Sequence, residues 1–331
     1  MKAYSLSLIF FTFFVITLGA LTRLLDAGLG CPDWPVCYGH WVPAKEISHT
    51  VFSLWEYDQG KAWMEMIHRY AASVLGLCIL IQAFFVWRAN VSKALTMVAC
   101  FLCVWVVIQG LFGMWTVTLR LWPPVVTGHL LGGAITLVGQ FLIWRGLVLS
   151  YQGRSLAFNR IWLAFTLLVF AQMALGAWTS SQYAGLACPD FPTCQGRWWV
   201  ELDAGVFHAP QMEGAEYLGG IQTMKQRMAV QWLHRLGALA VLLTFLALLY
   251  KRMSSPLLWL VGGLMSVQIA LGVLNAIWLL PLTLALLHNS VAMLLLLACV
   301  HAVILPLGQQ RRTKANPFAV STPQPVRHLV G

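Results

Sequence analysis

The sequence predicts an all-α polytopic membrane protein in which eight transmembrane helices form two tandem four-helix bundles, related by a pseudo-two-fold axis along the membrane normal. Three observations carry this. Of 331 residues 59% are hydrophobic and 10% charged, against roughly a quarter charged in soluble domains, which excludes a soluble globular fold. Long runs free of Asp, Glu, Lys and Arg recur at the ~20 residues that a membrane helix needs. A segment near the N-terminus also reappears in the middle of the chain.

The charge-free runs place the first five helices at 3–22, 70–87, 94–119, 121–144 and 161–189. A sixth spans about 228–250, interrupted by His234 and Arg235 near its start. From 253 to 310 there is no Asp, Glu, Lys or Arg, room for two more helices with a break near 275–281. An even number of spans puts both termini on one side. The N-terminus, the turns after the second, fourth and sixth helices, and the tail carry twelve Lys and Arg and no acid. All eleven acids fall in or beside the alternate loops. Basic loops stay cytoplasmic, so a multi-pass protein of the cell inner membrane with both termini cytoplasmic is expected. The net charge of +10 then reports orientation among membrane lipids and gives no reason to expect nucleic acid. Lys2 and the apolar run after it could be read as a signal peptide, but the repeat favours a retained helix.

The repeat sets Gly19–Pro43 (GALTRLLDAGLGCPDWPVCYGHWVP) against Gly176–Val200 (GAWTSSQYAGLACPDFPTCQGRWWV), at an offset of 157 with 13 of 25 positions identical. It continues with His68-Arg69 against His234-Arg235 at an offset of 166, then Gln109/Gln268, Gly113/Gly272 and His129/His288 at 159. Four helices per copy give the copies one orientation. The expected units are 1–150, 151–305 and a disordered cytoplasmic tail, 306–331, which has several prolines and no apolar periodicity.

Ionisable groups inside a membrane bundle point to function. His68 and His129 lie near the outer ends of the second and fourth helices, at similar depth, and His234 and His288 repeat them. A single such histidine is more often a hydrogen-bonded core residue. Four that match between repeats favour ligands, and bis-imidazole ligation of haem iron is the leading reading, since bundle helices that face one another build cofactor sites. Zinc is disfavoured, because each half offers two histidines and at most one nearby carboxylate. His301 lies about 20 Å from His288 at ~1.5 Å per residue; it and the loop or tail residues His40, His49, His208 and His328 are read as ordinary polar residues.

Glu65 lies one turn before His68 on the same helical face, and its repeat partner is Gln231. A carboxylate accepts a proton or stabilises a cation better than an amide does, so the halves should differ in chemistry. The alternative is a helix pair with Arg69 worth a few tenths of a kcal/mol. Arg69 and Arg235 could balance haem propionates or snorkel to the interface. Cys31/Cys37 and Cys188/Cys194 lie in the outer loops, where local disulfide clips are favoured over zinc, redox or Cys-Pro haem contacts. Cys78, Cys100, Cys103 and Cys299 lie within helices and are read as packing residues.

Glu65-x-x-His68-Arg69, His129, His234-Arg235, His288 and the paired loop cysteines, with the stretches GLGCPDWPVCYG, EMIHRY, LFGMWTVTLRLWP and HLLGG, resemble the heme A synthase family over nearly the whole chain. The resemblance implies an oxidoreductase that converts the C8 methyl of heme O to the formyl of heme A for terminal oxidases. It further implies a substrate haem on His68 and His129 with Glu65 catalytic, a permanent haem b on His234 and His288, and two disulfides. Heme O synthase, oxidase assembly components, an electron acceptor and further copies of the chain are the partners it would admit. A di-haem b electron-transfer cytochrome would have no use for Glu65. A membrane thiol-disulfide oxidant would have none for four matched histidines.

Overall fold

The computed structural model describes residues 1–43, 57–152, 158–210, 216–250 and 256–304; the tail 306–331 and His49 lie outside them. Within the described residues the chain forms eight long α-helices: α1 Lys2–Leu24, α2 Gln59–Ala89, α3 Lys93–Thr118, α4 Pro123–Tyr151, α5 Arg160–Ser181, α6 Met224–Tyr250, α7 Pro256–Ile277 and α8 Leu282–Val303. All eight are long and apolar enough to cross a membrane, and the protein is a multi-pass membrane protein. Phe10, Met97, Val104, Leu167 and Trp259 are more than half exposed, as lipid-facing side chains are.

Two boundaries differ from the charge-free runs. α2 begins at Gln59, eleven residues before the expected Tyr70, because Lys61, Glu65 and Arg69 are helical: Asp58 caps the first turn by accepting from Lys61 N at 3.1 Å, and Glu65 pairs with Arg69 inside it. His68, just before the charge-free run, is therefore about two and a half turns into α2, at 3.6 residues per turn. α5 stops at Ser181 although the charge-free run continues to Pro189. The chain turns there through Tyr183, whose φ is 54°, into a non-helical segment that carries no charge and buries Gln182, Ala184, Ala187 and Cys188.

α1 packs on α2 and α4, α2 on α3, and α3 on α4; α5 packs on α6 and α8, α6 on α7, and α7 on α8. Each half is thus a closed ring of four helices. The N-terminal ring buries Leu8, Val15, Leu75, Ile79, Leu95, Leu102 and Ile143; the C-terminal one buries Phe165, Val241, Phe245, Val261, Met265 and Leu295. The halves meet through α1, α4, α5 and α8, where Ile9, Leu137, Met293 and Leu296 form a shared core.

At the end of the bundle that carries the disulfide loops, the meeting residues are repeat equivalents. Arg23 Nη2 donates to the Ser180 carbonyl at 2.6 Å, and Tyr183 Oη to Asp26 Oδ1 at 2.8 Å; both pairs are 157 residues apart. Helix ends repeat as well. Leu121 N donates to Thr116 O and Leu280 N to Asn275 O, each at 2.7 Å, through consecutive positive φ values at Arg120-Leu121 and Leu279-Leu280.

Candidate functional site

The two cysteine-containing loops are built alike. Cys31–Cys37 and Cys188–Cys194 form disulfides with Cα–Cα distances of 4.8 and 4.6 Å, as expected. Inside each ring an aspartate gathers the turn: Asp33 accepts from Tyr38 N at 2.6 Å and Gly39 N at 2.8 Å, and Asp190 from Gln195 N at 2.6 Å and Gly196 N at 2.9 Å. Gly39 and Gly196 have φ of 77° and 75°, a region that glycine enters without a Cβ clash. The repeated Cys-Pro-Asp and Cys-x-Gly letters are therefore the parts of one disulfide-closed turn.

These loops rest on the histidine helices. Arg69 Nη1 donates to Val36 O at 2.8 Å, and Arg235 Nη1 to the equivalent Thr193 O at 2.6 Å. Their second nitrogens differ. Arg235 Nη2 reaches Cys188 O at 2.8 Å, whereas Arg69 Nη2 is at 2.5 Å from Glu65 Oε1, whose other oxygen accepts from Cys31 N at 2.9 Å. Glu65 is 4% exposed, and a buried ion with both oxygens hydrogen-bonded is far from the exposed i, i+4 pair of small value. Gly30 permits the approach: a Cβ there would stand 2.5 Å from the Lys61 carbonyl carbon. Its repeat partner is Ala187.

The four predicted histidines stand toward the disulfide-loop ends of their helices, two in each ring. The His68 and His129 rings lie with centroids 6.5 Å apart; His234 and His288 are their repeat equivalents. With metal–nitrogen bonds of about 2.0 Å, this spacing would allow His68 and His129 to hold one haem iron between them. Each ring also lies against a glycine of the preceding helix. A Cβ at Gly19 would meet His68 Cε1 at 2.7 Å, at Gly113 His129 Cε1 at 3.3 Å, and at Gly176 and Gly272 the Cε1 of His234 and His288 at 3.1 Å. The matched glycines are thus cradles for imidazole.

Sequence reasoning missed the amides. Gln109 Nε2 lies 3.1 Å from His129 Nδ1 and donates to His129 O at 2.6 Å. Gln172 Nε2 does the same for His234, at 3.0 and 2.9 Å, and Gln268 Nε2 lies 3.3 Å from His288 Nε2. Gln109 and Gln268 were visible as a repeat match without a role, while Gln172 has no repeat counterpart to flag it. His301 packs on Phe141, away from the pairs, as expected.

Residues 2–300 match the family model described as cytochrome oxidase assembly protein. The chain is 39% identical over 309 residues to the heme A synthase of Shewanella oneidensis, covering 88% of this chain and 92% of that one. It is 27% identical over 318 residues to the heme A synthase of Neorickettsia sennetsu, covering 86% and 93%. With the paired histidines and the buried Glu65 in place, these similarities show that the chain belongs to the cytochrome oxidase assembly protein family, among the heme A synthases.

Proposed function

We propose that the chain oxidises the C8 methyl of heme O to the formyl of heme A at a site built from His68, His129 and Glu65, with a permanent haem b held by His234 and His288 in the other half. The observation that carries this is a pair of imidazoles at ligand spacing, with a buried carboxylate one turn away, matched in the second half by a pair with Gln231 instead. Bound haem supplies the one-electron and oxygen chemistry. His68 and His129 orient the substrate, and glycine cradles fix where the rings stand. Glu65 accepts the proton that leaves with methyl oxidation, or stabilises positive charge that develops there. Arg69 and Arg235, next in sequence to two ligands, hold the loops and would supply the positive charge that balances haem propionates. The pseudo-two-fold axis along the membrane normal is supported by the Arg23–Ser180 and Asp26–Tyr183 contacts, since residues nearest a two-fold meet their own counterparts.

The molecule sits in the inner membrane with both termini cytoplasmic, by its basic loops. Heme O synthase is a fitting donor of substrate, oxidase assembly components fitting receivers of product, and an electron acceptor completes the oxidation. The di-haem cytochrome and the thiol oxidant are disfavoured by the Glu65/Gln231 difference and by the four cradled histidines. Extraction and identification of haems from the purified protein tests all three. Haem b with heme O or A is expected; b alone would favour the cytochrome, and none the thiol oxidant.

A further inference from the structure

The helix faces that carry the histidines and their glycine cradles continue differently in the two halves. On α1 the face of Gly19 runs on through Thr12 and Ser5, on α2 that of His68 through Gln82, and on α4 that of His129 through Thr136 and Gln140. Spacings of 7, 11 and 14 residues keep to one side of a helix. Ser5, Thr12, Gln82, Thr136 and Gln140 are all buried, at 0–4% exposure. By the repeat offsets their counterparts are Trp162, Val169, Leu248, Leu295 and Cys299, and all of these belong to the C-terminal apolar core. Among the described residues, the buried polar side chain on that stretch of the second half is Thr166, whose hydroxyl donates to Trp162 O of its own helix at 2.7 Å. The first half is not satisfied in this way. Gln82 Nε2 donates to Ser5 Oγ at 3.0 Å, but Gln82 Oε1 and both amide atoms of Gln140 are buried without a partner.

We propose that the N-terminal ring holds a file of internal water on these five side chains, and that the file carries protons between the His68–His129 site and the end of the bundle opposite the disulfide loops. This rests on the two-site reading above. A buried amide without a partner bears its full desolvation cost, and internal water, at about three hydrogen bonds per molecule, meets it. Thr12 and Thr136 donate to Leu8 O and Gly132 O of their own helices at 2.7 and 2.9 Å, and each hydroxyl keeps lone pairs that accept from water. At ~1.5 Å per residue, Ser5 and Gln82 lie about 21 Å from the histidine level, Gln140 about 16 Å and the two threonines about 10 Å. Ser5 is in the first turn of α1, so the row starts at the bundle end. Gln109, whose amide lies over Gly132 and donates to His129 O, completes it to the site. On the opposite side Glu65 is covered by the Cys31 turn. Oxidation of a methyl to a formyl group takes two steps, and both move protons. When water supplies the oxygen, each step releases two protons and passes two electrons to the acceptor; when dioxygen supplies it, each step consumes one dioxygen, two protons and two electrons from a donor and returns one water. Haem b in the other half exchanges electrons only, and its ring has no such row.

Hydroxyl radicals generated by X-rays inside the purified full-length protein label side chains beside internal water, and mass spectrometry reads the label. It is expected at Leu8 and Ile79, a turn from Ser5 and Gln82 in the N-terminal core, and not at their counterparts Phe165 and Phe245 in the other core, although phenylalanine is the more reactive residue. The double exchange Gln82→Leu with Gln140→Leu should remove the label, keep both haems, and hold or raise the unfolding midpoint, while heme A formation falls on the order of 10-fold or more. A merely structural role would lower the midpoint together with the rate. Gln140→Ser, which keeps a hydroxyl and leaves room for one more water, should keep most of the wild-type rate. Absence of label at Leu8 and Ile79 in the wild type would overturn the water file. A wild-type rate in the double exchange would overturn the proton route. If the double exchange fails to accumulate, Gln82→Leu and Gln140→Leu decide singly by the same rule. Haem extraction from the wild type separates the two levels: haem b alone sinks the two-site reading, whereas haem b with heme O or A, together with either adverse result above, sinks the file by itself.

Discussion

Glu65 is held from two directions, by the Arg69 guanidinium and by the Cys31 amide, so its side chain ties the first disulfide loop to the helix that carries His68. Replacement by glutamine leaves a neutral acceptor in the same place, and the second half is folded with Gln231 at that position. Glu65→Gln is therefore expected to accumulate and bind haem normally while heme A formation falls on the order of 100-fold or more, with heme O or a partly oxidised product building up. Wild-type heme A yield, measured by chromatography of extracted haems, would reduce Glu65 to a loop anchor. Asp190 makes a prediction of a different kind. The Thr193 hydroxyl, then the Gly196 and Gln195 amides, hold its carboxyl down at about 2 from an ordinary 3.8. A carboxylate whose folded pKa is depressed stabilises above the unfolded value and ceases to as pH falls through the folded one. The second outer loop should thus keep its turn above about pH 4 and open between 4 and 2. Pepsin cleavage in that loop should rise over this window in the wild type, and Asp190→Ala should already be susceptible at pH 4; equal cleavage of the two at pH 4 would contradict the turn's dependence on the carboxylate.

At the scale of elements, helix contacts at the site are set by residues without side chains. Gly176 on α5 and Gly19 on α1 let a neighbouring imidazole lie against the helix backbone. Gly176→Val should displace His234 and lower bound haem b on the order of 10-fold, with Gly19→Val doing the same to the N-terminal haem. Gly263 on α7 faces open space, and Gly263→Val should leave both contents unchanged in the pyridine haemochrome assay. The positions of the helices were legible because a span must be apolar for about 20 residues. Their ends were not, wherever a charge is satisfied inside the protein or an uncharged segment is not helical. Lys61, Glu65 and Arg69 hid the first turns of α2, and 182–189 extended α5 on paper.

Across the whole molecule, the halves are joined on the outer side by Arg23, which donates to Ser180 O and stacks on the Tyr183 ring at 3.9 Å, and by Tyr183 on Asp26. On the same side, Tyr217 of the second outer loop donates its backbone N–H to Arg120 O of the first half at 3.0 Å. Tyr183→Phe removes one hydrogen bond of about 1 kcal/mol. It should lower the unfolding midpoint of the haem-loaded protein by about 2–4 °C while both haems are retained. Loss of either haem would mean that the seam also shapes a site.

The sequence by itself determined the spans, the duplication, the four histidines and the single carboxylate, and its charge placement carries the proposed orientation. Each follows from a rule that acts along the chain: hydropathy, charge placement and identity at a fixed offset. Tertiary structure decided how far into α2 His68 stands, that the matched glycines are imidazole cradles, and that Arg69 and Arg235 grip loop carbonyls. It alone brought Gln172 to His234 Nδ1 and Gln109 to His129 Nδ1, and left the Nδ1 atoms of His68 and His288 without a partner. Val15 and Gln172 are different letters at one repeat position, and nothing along the chain says which histidine a glutamine on another helix will meet. That depends on the rotation and depth of two packed helices, which the packing of both rings fixes together.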